Sequence, residues 1–253
     1  MSNPQTEIHL AGRRVLVTGG ARGLGEAFVR ALIAAGARVA FGDLLHERGQ
    51  ALAAELGAAA HYVPMDMSDR TAITSGVAAA AAFLGGIDGL VNNAAITNSG
   101  GRDMADLDPD VWDQVMAVNV RGVWQATVAA RPWLAASGSG RVVHLASDTA
   151  MWGAPRLLAY VASKGAVLAM TRSMAREMGG DAITVNAIAP GLTLVEATAY
   201  VPQARHQQYQ EGRAIGRAQV PADITAAMLF LLTIGSGFVT GQVLPVNGGF
   251  AMN

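Results

Sequence analysis

No cysteine occurs among the 253 residues. That excludes thiol catalysis, Cys-ligated zinc and a disulfide framework, and it suits a reducing, cytoplasmic setting. An excess of charge of either sign is also missing, with 18 Lys and Arg against 19 Asp and Glu. A chain so balanced has no field to draw it onto nucleic acid or an anionic membrane. Long apolar runs are absent as well. The longest, 77–84 and 226–234, fall far short of the roughly 20 residues that cross a bilayer. Residues 1–9 show neither the basic nor the apolar region of a secretory signal, so none is expected. No repeat, charge block or low-complexity linker marks a second domain. What is plentiful is apolar content, at 51%, together with 30 glycines. A chain of this length buries roughly 70 to 75% of its unfolded surface, so neither metal nor disulfide is required to stabilise it. One domain without a metal site is the expectation.

Short β-rich runs alternate with longer helical patterns from end to end. Residues 14–17, 38–41, 61–63, 89–91, 141–145, 183–187 and 242–246 read as strands. Residues 25–35, 45–56, 69–84, 109–134, 158–178 and 222–233 read as helices. This alternation predicts βαβ crossovers and a single doubly wound α/β domain, a seven-stranded parallel sheet flanked by helices. Asp108 before Pro109 predicts a helix start, while Gly36 and the Gly179-Gly180 pair predict helix ends. Only 190–221 is long and weakly patterned, which points to a substrate loop or lid.

The first strand runs into Thr18-Gly19-Gly20-Ala21-Arg22-Gly23-Leu24-Gly25 and then into a helix. Glycines there permit a tight turn and close backbone approach to a pyrophosphate, and the helix start offers free N–H groups, as in Rossmann-type dinucleotide sites. A bare strand-to-helix turn would read alike. Asp43 breaks the tie. It stands 18 residues after Gly25, close to the roughly 20 expected of an acid that holds the adenosine ribose hydroxyls. A carboxylate there accepts from NAD and repels the 2′-phosphate of NADP, whereas Arg22 beside the loop would favour that phosphate. NAD is therefore the expected cofactor and NADP the lesser one. Asp66 is a candidate acceptor for the adenine amino group, or else a helix cap shared with Ser68 and Asp69. Met67 is a candidate cover for the ring.

Further along stand Asn92-Asn93-Ala94, Asn119, Ser147, Tyr160-Val161-Ala162-Ser163-Lys164 and Pro190-Gly191. In this order, with Tyr160 13 residues after Ser147, they resemble the short-chain dehydrogenase/reductase family over nearly the whole chain. From the residues themselves, Tyr160 and Lys164 lie four apart on one helix face. A phenol is a weak base near neutrality, and an adjacent ammonium favours its ionised form. Tyr160 is accordingly expected to take the alcohol proton while hydride passes to the nicotinamide, or to protonate the alkoxide in reverse. Lys164 is expected to lower the Tyr160 pKa and to hold the nicotinamide ribose, and Ser147 to bind the substrate oxygen. The resemblance implies that Asn119 shapes a helix so that a water links Lys164 to solvent. It also implies cofactor contacts at Asn93, Pro190, Gly191 and Thr193. Three positions depart from the family pattern: Ala95 replaces a glycine, Ala146 a serine and Val195 a threonine.

The expected substrate pocket draws on Ala95, Ile96, Met151, Trp152, Leu192, Leu194, Val195 and Tyr200. It reads as apolar, suited to a small to medium secondary alcohol or ketone, cyclic or aromatic, although Arg205, Arg213 and Arg217 sit in the lid segment. These side chains would also serve merely to pack the lid. Residues 109–134 and 158–178 are apolar on more than one face, which predicts a partner subunit. The resemblance implies a homotetramer. The expected activity is NAD-linked interconversion of a secondary alcohol and a ketone. The alternatives are an NADPH-dependent carbonyl or 3-oxoacyl thioester reductase, a non-catalytic NAD-binding protein, and epimerase or dehydratase chemistry on the same scaffold.

Overall fold

The computed structural model describes residues 9–252. The N-terminal stretch read for a leader lies outside them except for His9, as does Asn253. Seven strands form one parallel sheet: β1 (Arg14–Thr18), β2 (Arg38–Asp43), β3 (Ala60–Pro64), β4 (Gly89–Asn92), β5 (Arg141–Leu145), β6 (Thr184–Pro190) and β7 (Val243–Val246). Their spatial order is β3-β2-β1-β4-β5-β6-β7. The helices are α1 (Gly23–Ala34), α2 (His46–Leu56), α3 (Arg70–Leu84), α4 (Pro109–Met116), α5 (Val123–Ala136), α6 (Thr149–Trp152), α7 (Leu158–Met178), α8 (Gln203–Gly212) and α9 (Ala222–Leu232). The predicted doubly wound domain is therefore the one observed.

Burial follows from strand alternation. Val15 and Val17 face one side of the sheet, where they pack with Phe28 and Leu32 of α1 and Met228 of α9. Leu16 faces the other side, with Ile73 and Val77 of α3 and Leu134 of α5. Because both faces are covered, β5 is buried along its whole length, as parallel strands require. The chain winds outward in opposite senses from β1 and β4, so a crevice opens between the carboxyl ends of these two strands.

Two expectations need correction. The helix predicted over 109–134 is interrupted by a wide π-type turn at Ala117–Gly122 between α4 and α5, a feature that helices carry mostly at functional sites. Gly122 lets this turn press on the chain beyond β3, since a Cβ there would lie 2.4 Å from the Met67 carbonyl oxygen. α7 ends at Met178 with Gly179 as its C-cap, as the Gly179-Gly180 pair predicts; a 3-10 turn runs over Gly179–Asp181, and Ala182 takes the positive φ of 57°. The weakly patterned segment 190–221 contains a helix, α8, of which only Tyr209 is buried. Asp108 does cap α4, accepting from Asp110 N–H at 2.9 Å.

At the head of α1, a Cβ on Gly25 would stand 1.9 Å from the Gly19 carbonyl oxygen and 2.6 Å from the Asn93 carboxamide nitrogen. Gly25→Ala is expected to cost about 3 kcal/mol by overpacking and to abolish dinucleotide binding. Denaturant unfolding and calorimetric titration check both.

Candidate active site

The β1–α1 turn forms one wall of the crevice. Gly19 and Gly23 adopt positive φ of 67° and 57°, and a Cβ on Gly19 would lie 2.7 Å from Ala94 Cα. Asn93 buttresses the turn from beneath. Its carboxamide donates to the carbonyls of Thr18 (3.1 Å) and Gly19 (2.8 Å), and the Thr18 hydroxyl accepts from Asn93 N–H at 3.1 Å. Leu24 packs on the core while lining the cleft, and Arg22 is exposed. At the end of β2, Asp43 accepts from Ala21 N–H (2.9 Å) and Leu45 N–H (3.0 Å), one on each carboxylate oxygen. Each oxygen keeps a further acceptor site. Asp66 accepts from the Ser68 N–H and hydroxyl at 2.8 and 2.7 Å, while Asp69 alone caps α3. Met67 is a core residue with one edge on the cleft.

Opposite this wall, Ser147 follows β5, and Tyr160 and Lys164 project from the start of α7. All three line the same cleft of about 650 Å³. Lys164 Nζ donates to the Leu145 carbonyl at 2.6 Å and stands 5.7 Å from the centre of the Tyr160 ring. Asn119 lies behind them in the wide turn, fully buried. Its oxygen accepts from Ile96 N–H at 2.8 Å, and its nitrogen donates to the Ile96 carbonyl (3.0 Å) and the Ser163 hydroxyl (3.1 Å). Asn119 thus ties the wide turn to the loop after β4 and to α7.

Burial dominates the electrostatics. It pushes the Tyr160 phenol above its ordinary value, with the Ser147 hydroxyl pulling the other way. It also lowers Lys164 to about 8. The expected ammonium-driven fall in the Tyr160 pKa does not appear in this geometry, because desolvation of the phenolate outweighs a lysine whose hydrogen bond goes to Leu145. Two buried groups were not anticipated. His144 is lowered to about 3 by burial and by Lys164, so it is neutral, with Nδ1 3.1 Å from the Asn92 carboxamide. Burial raises Asp148 to about 6, although Tyr209 of α8 donates to it at 2.7 Å. A histidine set among Val142, Val143 and Leu145 and an acid next to Ser147 were the available signals.

Of the expected substrate residues, Ala95, Ile96, Leu192, Val195 and Tyr200 line the cleft, as do Pro190, Gly191 and Thr193. Met151, Trp152 and Leu194 do not, Leu194 being exposed to solvent. Met151 packs beside Ala146 and Val167, and Trp152 donates to the Tyr209 hydroxyl at 3.2 Å and meets Phe250 edge-on. The wall is also more polar than expected, because Thr97, Asn98, Thr149, Arg205 and Tyr209 contribute to it. Segment 193–201 passes beside the glycine turn, Val195 and Ala197 lying nearest to where a Cβ on Gly23 would stand. The Tyr200 hydroxyl donates to the Thr97 carbonyl, and Glu196 forms a two-pronged ion pair with Arg48 of α2 at 2.8 and 3.0 Å. A larger groove of about 990 Å³, between α4, α5 and α7, contains none of these groups.

A family model described as enoyl-(acyl carrier protein) reductase matches residues 19–251. A 3-alpha-(or 20-beta)-hydroxysteroid dehydrogenase of Mycobacterium tuberculosis is 38% identical over 240 residues, covering 95% of this chain and 90% of that protein. The structure of a 3-ketoacyl-(acyl-carrier-protein) reductase from Brucella melitensis complexed with NADH superposes with a TM-score of 0.90 at 29% identity, over 96% of this chain and 100% of that one. A gluconate 5-dehydrogenase from Burkholderia cenocepacia J2315, in complex with NADP and tartrate, gives 0.90 at 30% identity, over 96% and 97%. The chain belongs to the short-chain dehydrogenase/reductase family and is an oxidoreductase of that family.

The lowered Lys164 pKa has a consequence for stability. At pH 7 the folded protein carries a desolvated ammonium, and stability rises as pH climbs through about 8 toward the ordinary lysine value. Lys164→Met is expected to abolish turnover yet raise the thermal midpoint at pH 7, with the gain shrinking above pH 8. Scanning calorimetry across pH 6 to 10 checks the sign.

Proposed function

We propose that the protein interconverts a secondary alcohol and a ketone with NAD(H), Tyr160 acting as general acid and base. The observation that carries this reading is the convergence of Ser147, Tyr160 and Lys164 on one wall of a cleft whose other wall is the glycine turn. The residues fit a dinucleotide. Backbone at Gly19 and Gly25 lies where side chains cannot be accommodated, and Asp43 has acceptor capacity left at the far end for ribose hydroxyls. The solved relatives were captured one with NADH and the other with NADP, and Asp43 tips this chain toward NAD. Once bound, the cofactor supplies the nicotinamide that accepts or donates hydride.

The chain's own groups supply the rest. The Ser147 hydroxyl, already accepting from the Thr149 hydroxyl at 2.9 Å, orients the substrate oxygen beside the Tyr160 phenol. Lys164 holds the nicotinamide ribose and, while protonated, stabilises the Tyr160 phenolate. Asn119 keeps the wide turn and Ile96 in place below them. With its pKa raised by burial, Tyr160 is a neutral acid near pH 7, which suits ketone reduction. Alcohol oxidation needs the phenolate, so its rate should climb through the alkaline range while reduction stays level up to about pH 8. Tyr160→Phe is expected to lower kcat roughly 10²- to 10⁴-fold in both directions with the fold unchanged by circular dichroism. Survival of turnover within a few-fold would sink the mechanism. NAD(H) should be preferred over NADP(H) by roughly 100-fold in kcat/KM, since juxtaposed like charges cost several kcal/mol. A reversed preference would favour the NADPH-dependent reductase reading.

We also propose a cytoplasmic homotetramer. Trp124 and Val128, 50% and 54% exposed, and Met170 and Met174 line the groove between α5 and α7, a face that a second copy would cover. Among the described residues no helix is long and apolar enough to cross a membrane. Light scattering at micromolar concentration should give four times the chain mass; a monomer would refute the assembly.

A further inference from the structure

The arginines of the lid segment divide by what their guanidinium groups already hold. Arg213 is buried and spends its donors inside the protein, on the carbonyls of Asn247 (3.1 Å), Arg217 (3.0 Å) and Leu192 (2.8 Å) and on the Gln219 side chain (3.1 Å). Arg217 is paired with Asp223 at 2.7 Å. Arg205, on α8, makes one long contact, 3.5 Å to the Pro155 carbonyl, and lies 5.2 Å above the Trp152 ring. Among the described residues it has no carboxylate within salt-bridge distance.

Its placement gives that vacant fork a use. Arg205 lines the cleft with Ser147, Thr149 and Tyr160. The carboxylates on the cleft wall are Asp43, Asp66 and Glu196. The first two follow β2 and β3 on the opposite half, and Glu196 is engaged by Arg48. The nearest acid on the Ser147 side, Asp148, is fully buried and accepts from Tyr209. The half of the cleft that receives the substrate thus presents an uncompensated guanidinium, held in position by an aromatic face that cannot neutralise it. A planar fork of this kind matches a carboxylate with two parallel hydrogen bonds.

We propose that Arg205 is a specificity-determining residue and that the substrate is a hydroxy acid or oxo acid whose carboxylate lies away from the reacting carbon, bound by Arg205 while that carbon sits at Tyr160. The inference rests on the alcohol–ketone reading above and names the substrate class within it.

The test compares short aliphatic oxo-carboxylates with their methyl esters, and with neutral aliphatic and cyclic ketones, in NADH-linked reduction. The wild type, Arg205→Met and Arg205→Lys are assayed after thermal melts have established that each is folded. The wild type should favour the acid over its ester by roughly 10- to 100-fold in kcat/KM, the range for a hydrogen bond to a charged group. In Arg205→Met that preference should collapse, through a rise in KM for the acid with a much smaller effect on the ester, and Arg205→Lys should recover part of it. Turnover of esters and neutral ketones as efficient as that of the acids, or an equal loss on acid and ester in Arg205→Met, overturns the role of Arg205 and leaves the oxidoreductase reading standing. No turnover of any carbonyl compound would remove the alcohol–ketone reading and this inference with it.

Discussion

Everything at the site depends on how closely the β1–α1 turn packs against the end of β4. A parallel sheet leaves an opening where the chain winds away from β1 and β4 in opposite directions. That opening becomes a binding wall only if backbone, and not side chain, faces it. Gly19 achieves this against Ala94, and Gly25 achieves it against Gly19 itself. Asn93 then fixes the turn by satisfying the carbonyls of Thr18 and Gly19. The same residue therefore shapes the wall without projecting into it. The position of Ala95 follows, because Asn93 and Ala94 are already committed to the turn. Ile96 is held next by Asn119, so one continuous set of hydrogen bonds runs from the glycine turn to the wide turn between α4 and α5.

On the other wall, desolvation decides which groups can carry charge. Tyr160, Lys164, His144 and Asp148 all shift toward their neutral forms, the behaviour of ionisable groups removed from water without a close opposite charge. Desolvation, rather than a coupling to Lys164, sets the direction of the shift at Tyr160. Substrate and cofactor would displace water from the remaining open side and strengthen each of these couplings.

The sheet and its order of elements were readable because buried parallel strands are short apolar runs, and helices between them keep a regular period. That Ser147, Tyr160 and Lys164 share one wall was readable because they stand at recognisable intervals. Other features depended on tertiary contacts that carry no local pattern. The wide turn around Asn119 lies where Gly122 presses on Met67, and a lone glycine inside an otherwise helical pattern does not by itself announce such a turn. Met151 and Trp152 follow Ser147 closely in sequence, yet α6 and a left-handed Gly153 turn them toward the core and toward Tyr209. Arg205 looked like one of three equivalent basic residues until their partners set it apart. α8 was invisible because a helix with a single buried side chain has almost no periodic signal.

The contacts of the lid also differ in strength, and this divides it into two parts. Segment 193–201 is tied to the rest of the protein by backbone pairing of Thr193 and Leu194 with Gln219, by the Tyr200 hydroxyl and by the Arg48–Glu196 pair, whose side chains are both over 40% exposed; exposed pairs of that kind contribute about 0 to 1 kcal/mol. The following part, from α8 to Gln219, is fixed by the buried Arg213 with four acceptors and by Tyr209 on the fully buried Asp148, stacked on Phe250. The contacts of Glu196 and Tyr200 are therefore weaker than those from α8 to Gln219. Arg205 lies on the second of these parts, beside Trp152.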